Sequence, residues 1–207
     1  MEKIFCLLIG YLFGCILTAS IVAKANKVDY KEIDPETPHR GNPGMANIML
    51  NLGFKQGLIV LFGDSLKAIL AMFIAYKLFK DVKYAYVYAG FGTILGHNFP
   101  FYQKFNGGKG VLVTIIWFVF IMPKYFWIAL LVGALVVLIT GKLNLAAVIF
   151  PLAAIPIAYL KINVEVTILV ILSAILMIIR NYKDLVCIFN GQYDRINFKD
   201  KFAKQKK

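Results

Sequence analysis

Gly96-His97-Asn98-Phe99-Pro100-Phe101-Tyr102-Gln103-Lys104-Phe105-Asn106-Gly107-Gly108-Lys109-Gly110 is a polar stretch set between two apolar segments. It gathers four glycines, two lysines, a histidine and two asparagines into one short connection. Glycine lets backbone N–H groups approach a ligand closely and adopt positive φ. A Gly-Gly-Lys-Gly turn opening the next helix can cradle an anion with backbone donors, the helix dipole and an ammonium. The stretch reads as a phosphate-handling site at a membrane face. The plain alternative is a basic loop lying against lipid headgroups.

The segments around it decide the fold class. Of 207 residues, 60% are hydrophobic, against ~45–50% in a soluble domain. Several runs approach the ~20 apolar residues that a spanning helix needs. The reading is an all-α, polytopic membrane protein with about seven transmembrane helices in one bundle, a single domain over residues 1–207. The formal charge is +12. Lys and Arg at the loops and anionic headgroups account for it without nucleic acid. Cys6, Cys15 and Cys187 are an odd number and read as small packed residues. No CxxC or HExxH pattern occurs, so a metal-independent reaction without a cofactor is expected.

Ile4 to Ala23 is the first expected span. Ala23-Lys24-Ala25 resembles a signal-peptidase site, but the apolar run exceeds the usual ~7–15 residues of a signal peptide, and a retained helix is expected. Lys24 to Leu52 is the longest polar segment, interrupted by Pro35 and Pro38. Within it, Asn42 is the expected N-cap and Pro43 the first residue of a short helix, which Gly53 ends. The second span, Phe54 to Phe79, carries Asp64 and Lys67 near its centre. Charges there are costly and face the bundle interior. Three residues apart, these two share a helix face and can pair, either orienting the polar site or closing the bundle. Spans follow at Tyr84–Asn98, Val111–Met122, Tyr125–Thr140, Leu143–Leu160 and Asn163–Ile179. Gly90, Gly92 and Gly96 allow close helix approach, and Pro151 and Pro156 predict a kink. Glu165 is expected to stay hydrated near the interface. A basic tail runs from about residue 181 to 207.

Seven spans put the termini on opposite sides. With the C-terminus inside, most of the 23 Lys and Arg residues fall on the cytoplasmic face, which favours N-out, C-in. The Asn42 segment and the Lys109 stretch then share that face.

These residues resemble the bacterial acyl-phosphate:glycerol-3-phosphate acyltransferase family (PlsY type). The 96–111 stretch is similar to a GHxFPxFxxFxGGKGV pattern and nearly completes it. Arg40-Gly41-Asn42-Pro43-Gly44-Met45-Ala46-Asn47-Ile48-Met49-Leu50 is similar to GSGNxGATNxxR. Gly63-Asp64-Ser65-Leu66-Lys67 is similar to GDxxKG, with Ala68 for the last glycine. The resemblance covers nearly the whole chain. It implies transfer of a fatty acyl group from acyl phosphate to glycerol 3-phosphate, giving lysophosphatidic acid, in the bacterial cytoplasmic membrane. Both substrates carry phosphate and one is lipidic, which suits an anion site at a membrane face. Phosphate is a good leaving group, so orientation and charge stabilisation can supply much of the catalysis.

On this resemblance, Lys109 and the N–H groups of Gly107, Gly108 and Gly110 are expected to hold the acyl-phosphate phosphate. His97 is the candidate general base or phosphate donor; a histidine tethering the loop is the alternative. Asn42 and Asn47 are candidate substrate ligands, or equally a cap and a tether. Gly41 and Gly44 shape the backbone, and Asp64 and Lys67 orient the site. Several motif positions differ. Arg40 stands where the pattern has Ser, Ala46 where it has Thr, and Leu50 where it has a phosphate-binding Arg. A GSIP-like pattern reads Gly14-Cys15-Ile16-Leu17, and a serine-bearing turn reads Leu143-Asn144-Leu145-Ala146-Ala147. The HRxN and GtE patterns read Asn181-Tyr182-Lys183-Asp184 and Gly191-Gln192-Tyr193. The phosphate-cradling half is kept and the acceptor half is altered. Arg40 is the candidate replacement for the lost guanidinium, and a different acceptor or a non-catalytic lipid-binding role are the rival readings.

Overall fold

A computed structural model describes residues 1–29 and 42–192. Arg40, Gly41 and the last part of the basic tail lie outside them. The described residues form nine α-helices: α1 (Glu2–Gly14), α2 (Thr18–Ala25), α3 (Met45–Leu52), α4 (Phe54–Leu78), α5 (Ala85–Asn98), α6 (Val111–Ile121), α7 (Phe126–Thr140), α8 (Leu143–Lys161) and α9 (Val164–Phe189). One 3₁₀ turn, Phe101–Gln103, lies between α5 and α6.

The all-helical expectation holds among the described residues. Four segments are long and apolar enough to cross a membrane: Glu2–Ala25, α4, α8 and α9. α5, α6 and α7 coincide with expected spans but are shorter. The 11 residues of α6 reach only about 16 Å at 1.5 Å per residue.

Three boundaries differ from the sequence reading. The first span is not one helix: it breaks at Cys15–Leu17, between α1 and α2. Irregular backbone at membrane depth persists only where its polar groups are satisfied, and the break is so satisfied by Lys67, as described below. The short helix α3 begins at Met45 with Gly44 at its N-cap, so Asn42 is not the cap. Instead the Asn42 carbonyl accepts from Asn47 Nδ2 at 2.9 Å, which holds Asn42 and Pro43 outside the helix. Gly53 does end α3, at φ 108°. Finally, α9 continues ten residues past the expected stop at Ile179, to Phe189. Its polar residues Asn181 and Asp184 are buried, as is Ile188, so the first part of the supposed tail is bundle.

α1 and α5 pack along their lengths. The reason is steric. A Cβ at Gly10 or Gly14 would strike the carbonyls of Ala89 and Thr93, and one at Gly92 or Gly96 would strike those of Leu7 and Tyr11. The expected small-residue contact is therefore real for Gly92 and Gly96, while Gly90 makes room for Trp117 of α6. The main core gathers Met72, Phe91, Trp117, Phe118, Phe150 and Val170. A second cluster seats α3 through Ile48 against Ala19 and Val22 of α2 and Val60 of α4. At the other end of α5, Glu165 is not simply hydrated. It accepts from Lys3 at 2.5 Å and from the Tyr88 hydroxyl at 2.7 Å.

Candidate active site

The polar stretch folds as a loop pinned from two sides. Residues 99–110 leave α5 through the 3₁₀ turn and enter α6 at Gly110, whose φ of 75° is left-handed. That conformation suits glycine, and Asn98 Oδ1 occupies the place where a Cβ would sit. The loop then closes on the helix it left. Gly107 N–H donates to the Asn98 carbonyl at 3.0 Å, and Gly108 N–H donates to the His97 carbonyl at 2.9 Å. This corrects the expected cradle: the Gly107 and Gly108 amides are turned inward, because the loop satisfies its own buried backbone. A Cβ at Gly107 would meet the His97 carbonyl, and one at Gly108 would meet His97 Nε2. Both glycines serve close packing against His97.

Helix α9 holds the loop from one side. Arg180 donates from Nε to the Gly108 carbonyl at 3.1 Å and from an Nη to the Gly107 carbonyl at 2.5 Å. It also stacks over Phe99 at 5.4 Å. One turn later, Asp184 Oδ2 receives Lys109 Nζ at 2.8 Å. Burial pushes the Lys109 ammonium below the ordinary lysine value, the Asp184 carboxylate draws it back up, and Arg180 adds to the lowering. Sequence reasoning missed both α9 residues by ending the helix before them. Arg180, Asp184 and Ile188 recur at four-residue spacing, the signature of one helix face, and Val186 to Phe189 is apolar.

The break between α1 and α2 holds the other side. Tyr102 Oη donates to the Cys15 carbonyl at 2.7 Å, and Tyr11 Oη to the Phe99 carbonyl at 2.8 Å. Beneath them lies Lys67, whose side chain is 4% exposed. Its Nζ lies 2.7 Å from the Ile16 carbonyl, 2.8 Å from Asp64 Oδ1 and 2.9 Å from His97 Nδ1, with the Gly14 carbonyl farther at 3.3 Å. Thr18 Oγ1 donates to the same Asp64 oxygen at 3.0 Å. The expected Asp64–Lys67 pair therefore forms, and it joins three segments: the α1–α2 break, α4 and the end of α5. The sequence carried no direct sign of Thr18, Tyr11 or Tyr102, whose partners, the Asp64 carboxylate and the Phe99 and Cys15 carbonyls, lie far along the chain.

His97, Lys109, Gly107, Gly108 and Gly110 are thus brought together, with Asp64 and Lys67 behind His97. Asn47 is buried and tethers Asn42, while its own side-chain and backbone oxygens accept from Asn51 Nδ2, both at 2.9 Å. Among the described residues, no recorded hydrogen bond joins Asn42, Gly44 or Asn47 to the Lys109 loop. They lie on α3 and the turn before it, and α3 is seated on α2 and α4.

A family model described as glycerol-3-phosphate acyltransferase matches residues 4–191. Over 197 residues the chain is 34% identical to glycerol-3-phosphate acyltransferase 1 of Lactobacillus johnsonii, covering 95% of this chain and 94% of that protein. It is 34% identical over 200 residues to a glycerol-3-phosphate acyltransferase of Coxiella burnetii, covering 95% and 99%. Two crystal structures of PlsY, an integral membrane glycerol 3-phosphate acyltransferase, share the architecture. The glycerol 3-phosphate form superposes with a TM-score of 0.83 at 26% identity, over 97% of this chain and 98% of that one. The lysophosphatidic acid form gives 0.82 at 25%, over 98% and 100%. With the four long apolar segments, these likenesses make the chain an integral, multi-pass membrane protein.

Proposed function

The chain belongs to the glycerol-3-phosphate acyltransferase family, and we propose on that premise that it moves a fatty acyl group from acyl phosphate to glycerol 3-phosphate. A hydroxyl oxygen of the acceptor bonds to the acyl carbonyl carbon. The bond from that carbon to the phosphate oxygen breaks, and phosphate leaves with the electron pair. In the overall balance it also carries the proton lost by the hydroxyl. The product is lysophosphatidic acid. The observation that carries the reading is the family match over residues 4–191.

Lys109 is the donor-side cation. Its ammonium exchanges Asp184 for the phosphate of the acyl phosphate, and Arg180 keeps the loop in place while it does so. Gly110 stands at the start of α6, where the helix dipole favours an anion. Gly107 and Gly108 shape this site rather than donate to it. Asn42, Gly44 and Asn47 are the acceptor side, and Arg40 and Gly41 are assigned to it by the motif they share. Leu50 in place of a guanidinium makes Arg40 the candidate partner of the acceptor phosphate.

The whole chain acts as one membrane domain with seven spans, its N-terminus outside and its C-terminus in the bacterial cytoplasm. The charge asymmetry of the loops supports this orientation. Single cysteines placed at Asn106 and Asn42 in a cysteine-free background should both react from the cytoplasmic side.

The deciding experiment supplies purified protein with acyl phosphate and glycerol 3-phosphate and follows lysophosphatidic acid. No product, with acyl phosphate consumed only when another hydroxyl or amine acceptor is present, would transfer the reading to a different acceptor. Leu50 is the specific observation favouring that second reading.

A further inference from the structure

The hydrogen-bond inventory around Lys67 has a consequence for His97. An ammonium has three protons and no acceptor. Lys67 has three acceptors within 2.9 Å: the Ile16 carbonyl, Asp64 Oδ1 and His97 Nδ1. A proton on Nδ1 would set N–H against N–H at that distance. With Lys67 held as an ammonium by its ion pair with Asp64, Nδ1 accepts. The imidazole then carries one proton, on Nε2, since the doubly protonated ring has no acceptor nitrogen.

We infer that Lys67 is a positioning residue that fixes His97 as its neutral Nε2–H tautomer, so that His97 serves as a hydrogen-bond donor to an anionic oxygen lodged at the Gly107–Gly110 loop, and not as a base. The placement of Nε2 agrees: this is the ring atom that a side chain at Gly108 would strike, so it faces the glycine-rich loop. His97 is 4% exposed, and the ring is held on its Nδ1 side by a cluster whose carboxylate and ammonium are themselves buried. A preorganised donor of this kind stabilises charge that develops during acyl transfer without reorganising. The inference rests on the acyltransferase reading for the identity of the anion, but not for the tautomer.

The test is ¹⁵N NMR of histidine-labelled full-length protein in bilayers at neutral pH. His39→Asn leaves His97 as the remaining one of the two histidines. The expected spectrum shows an unprotonated Nδ1 and a protonated Nε2, and Lys67→Met replaces it with a mixture of tautomers. If Lys67→Met fails to fold, the spectrum of the parent protein still decides: a protonated Nδ1 overturns the inference. Kinetics give a second readout. His97→Gln retains an N–H donor at the Nε2 position but has no basic nitrogen. It should keep activity within about 10-fold of the parent protein, whereas His97→Ala should lose about 10²-fold or more. Equal loss in the two variants overturns the donor role. Lysophosphatidic acid formation in the parent protein is measured separately, so failure of the acyltransferase reading is not confused with failure of the tautomer assignment.

Discussion

Lys67, buried, and Lys109, partly buried, face carboxylates at the same distance, 2.8 Å, and differ in what else surrounds them. Lys67 has its three nearest acceptors in a carboxylate, a carbonyl and an imidazole, drawn from α4, the α1–α2 break and α5. Lys109 has one ion-pair partner, Asp184, among the described residues, and its side chain is 12% exposed rather than 4%. A saturated ammonium holds structure. An ammonium with one exchangeable anion is suited to handing that place to a substrate. On the proposed reading, the comparison separates the charge that builds the site from the charge that meets the substrate, although both sit in motifs of one family.

Lys67→Met should break the comparison most severely. It strips the ammonium from three acceptors and strands Asp64 in the bundle. Breaking a buried pair by removing one partner costs about 3–5 kcal/mol. A large fall in melting temperature in detergent is expected, and an unchanged melt would refute the structural role. Lys109→Met should act on chemistry instead, lowering kcat/KM by about 10²–10³-fold. Its melt should fall less, because Arg180 lies one turn from Asp184 on the same face of α9 and can take over the carboxylate. Comparable loss of stability in the two variants would erase the distinction. Gly108→Ala comes next. The new methyl must displace His97 Nε2, and misplacing a group by about 1 Å costs on the order of 10²-fold in rate. Steady-state kinetics on folded protein would show it.

Asp184→Asn sharpens the comparison without removing either lysine. The carboxylate favours the charged form of Lys109, so its loss lowers the Lys109 pKa further. The ammonium is then lost at lower pH as pH rises. The alkaline limb of kcat/KM should therefore move toward lower pH, while a pH profile identical to the parent's would detach Lys109 from the reaction. Glu165→Gln is the smallest change. Its pair with Lys3 is partly exposed and lies far from the loop in the α5 register, and exposed pairs contribute little. No change in acyl transfer is expected from the same assay.

Much of the molecule is readable in the sequence alone. The spans at Phe54–Phe79, Tyr84–Asn98, Tyr125–Thr140 and Leu143–Leu160 match α4, α5, α7 and α8 to within a residue or so, because apolar runs bounded by Gly, Pro and Lys are local signals. The Asp64–Lys67 pair was readable for the same reason, since i, i+3 spacing needs only a helix. What failed was nonlocal. Nothing local in Gly14-Cys15-Ile16-Leu17 marks a break, which becomes affordable only when Lys67 arrives from α4 to take the carbonyls. Nothing in Gly107-Gly108 says that their amides turn inward, since their acceptors, Asn98 and His97, lie across the loop. α9 was cut short because Arg180, Asn181 and Asp184 look like a solvated tail until the loop they grip is in place.

The sequence by itself determined an all-helical membrane chain, the positions of most spans, the family and the loop that carries Lys109. Those follow from apolar run length, local spacing and a dense motif. Tertiary structure alone decided which lysine meets acceptors from three segments and which pairs with Asp184, which way the glycine amides point, and which nitrogen of His97 faces the loop. Each of those depends on hydrogen-bond partners 30 to 75 residues away or across a closed turn. No local pattern encodes them, because a buried polar group takes whatever partner the packed helices bring within reach.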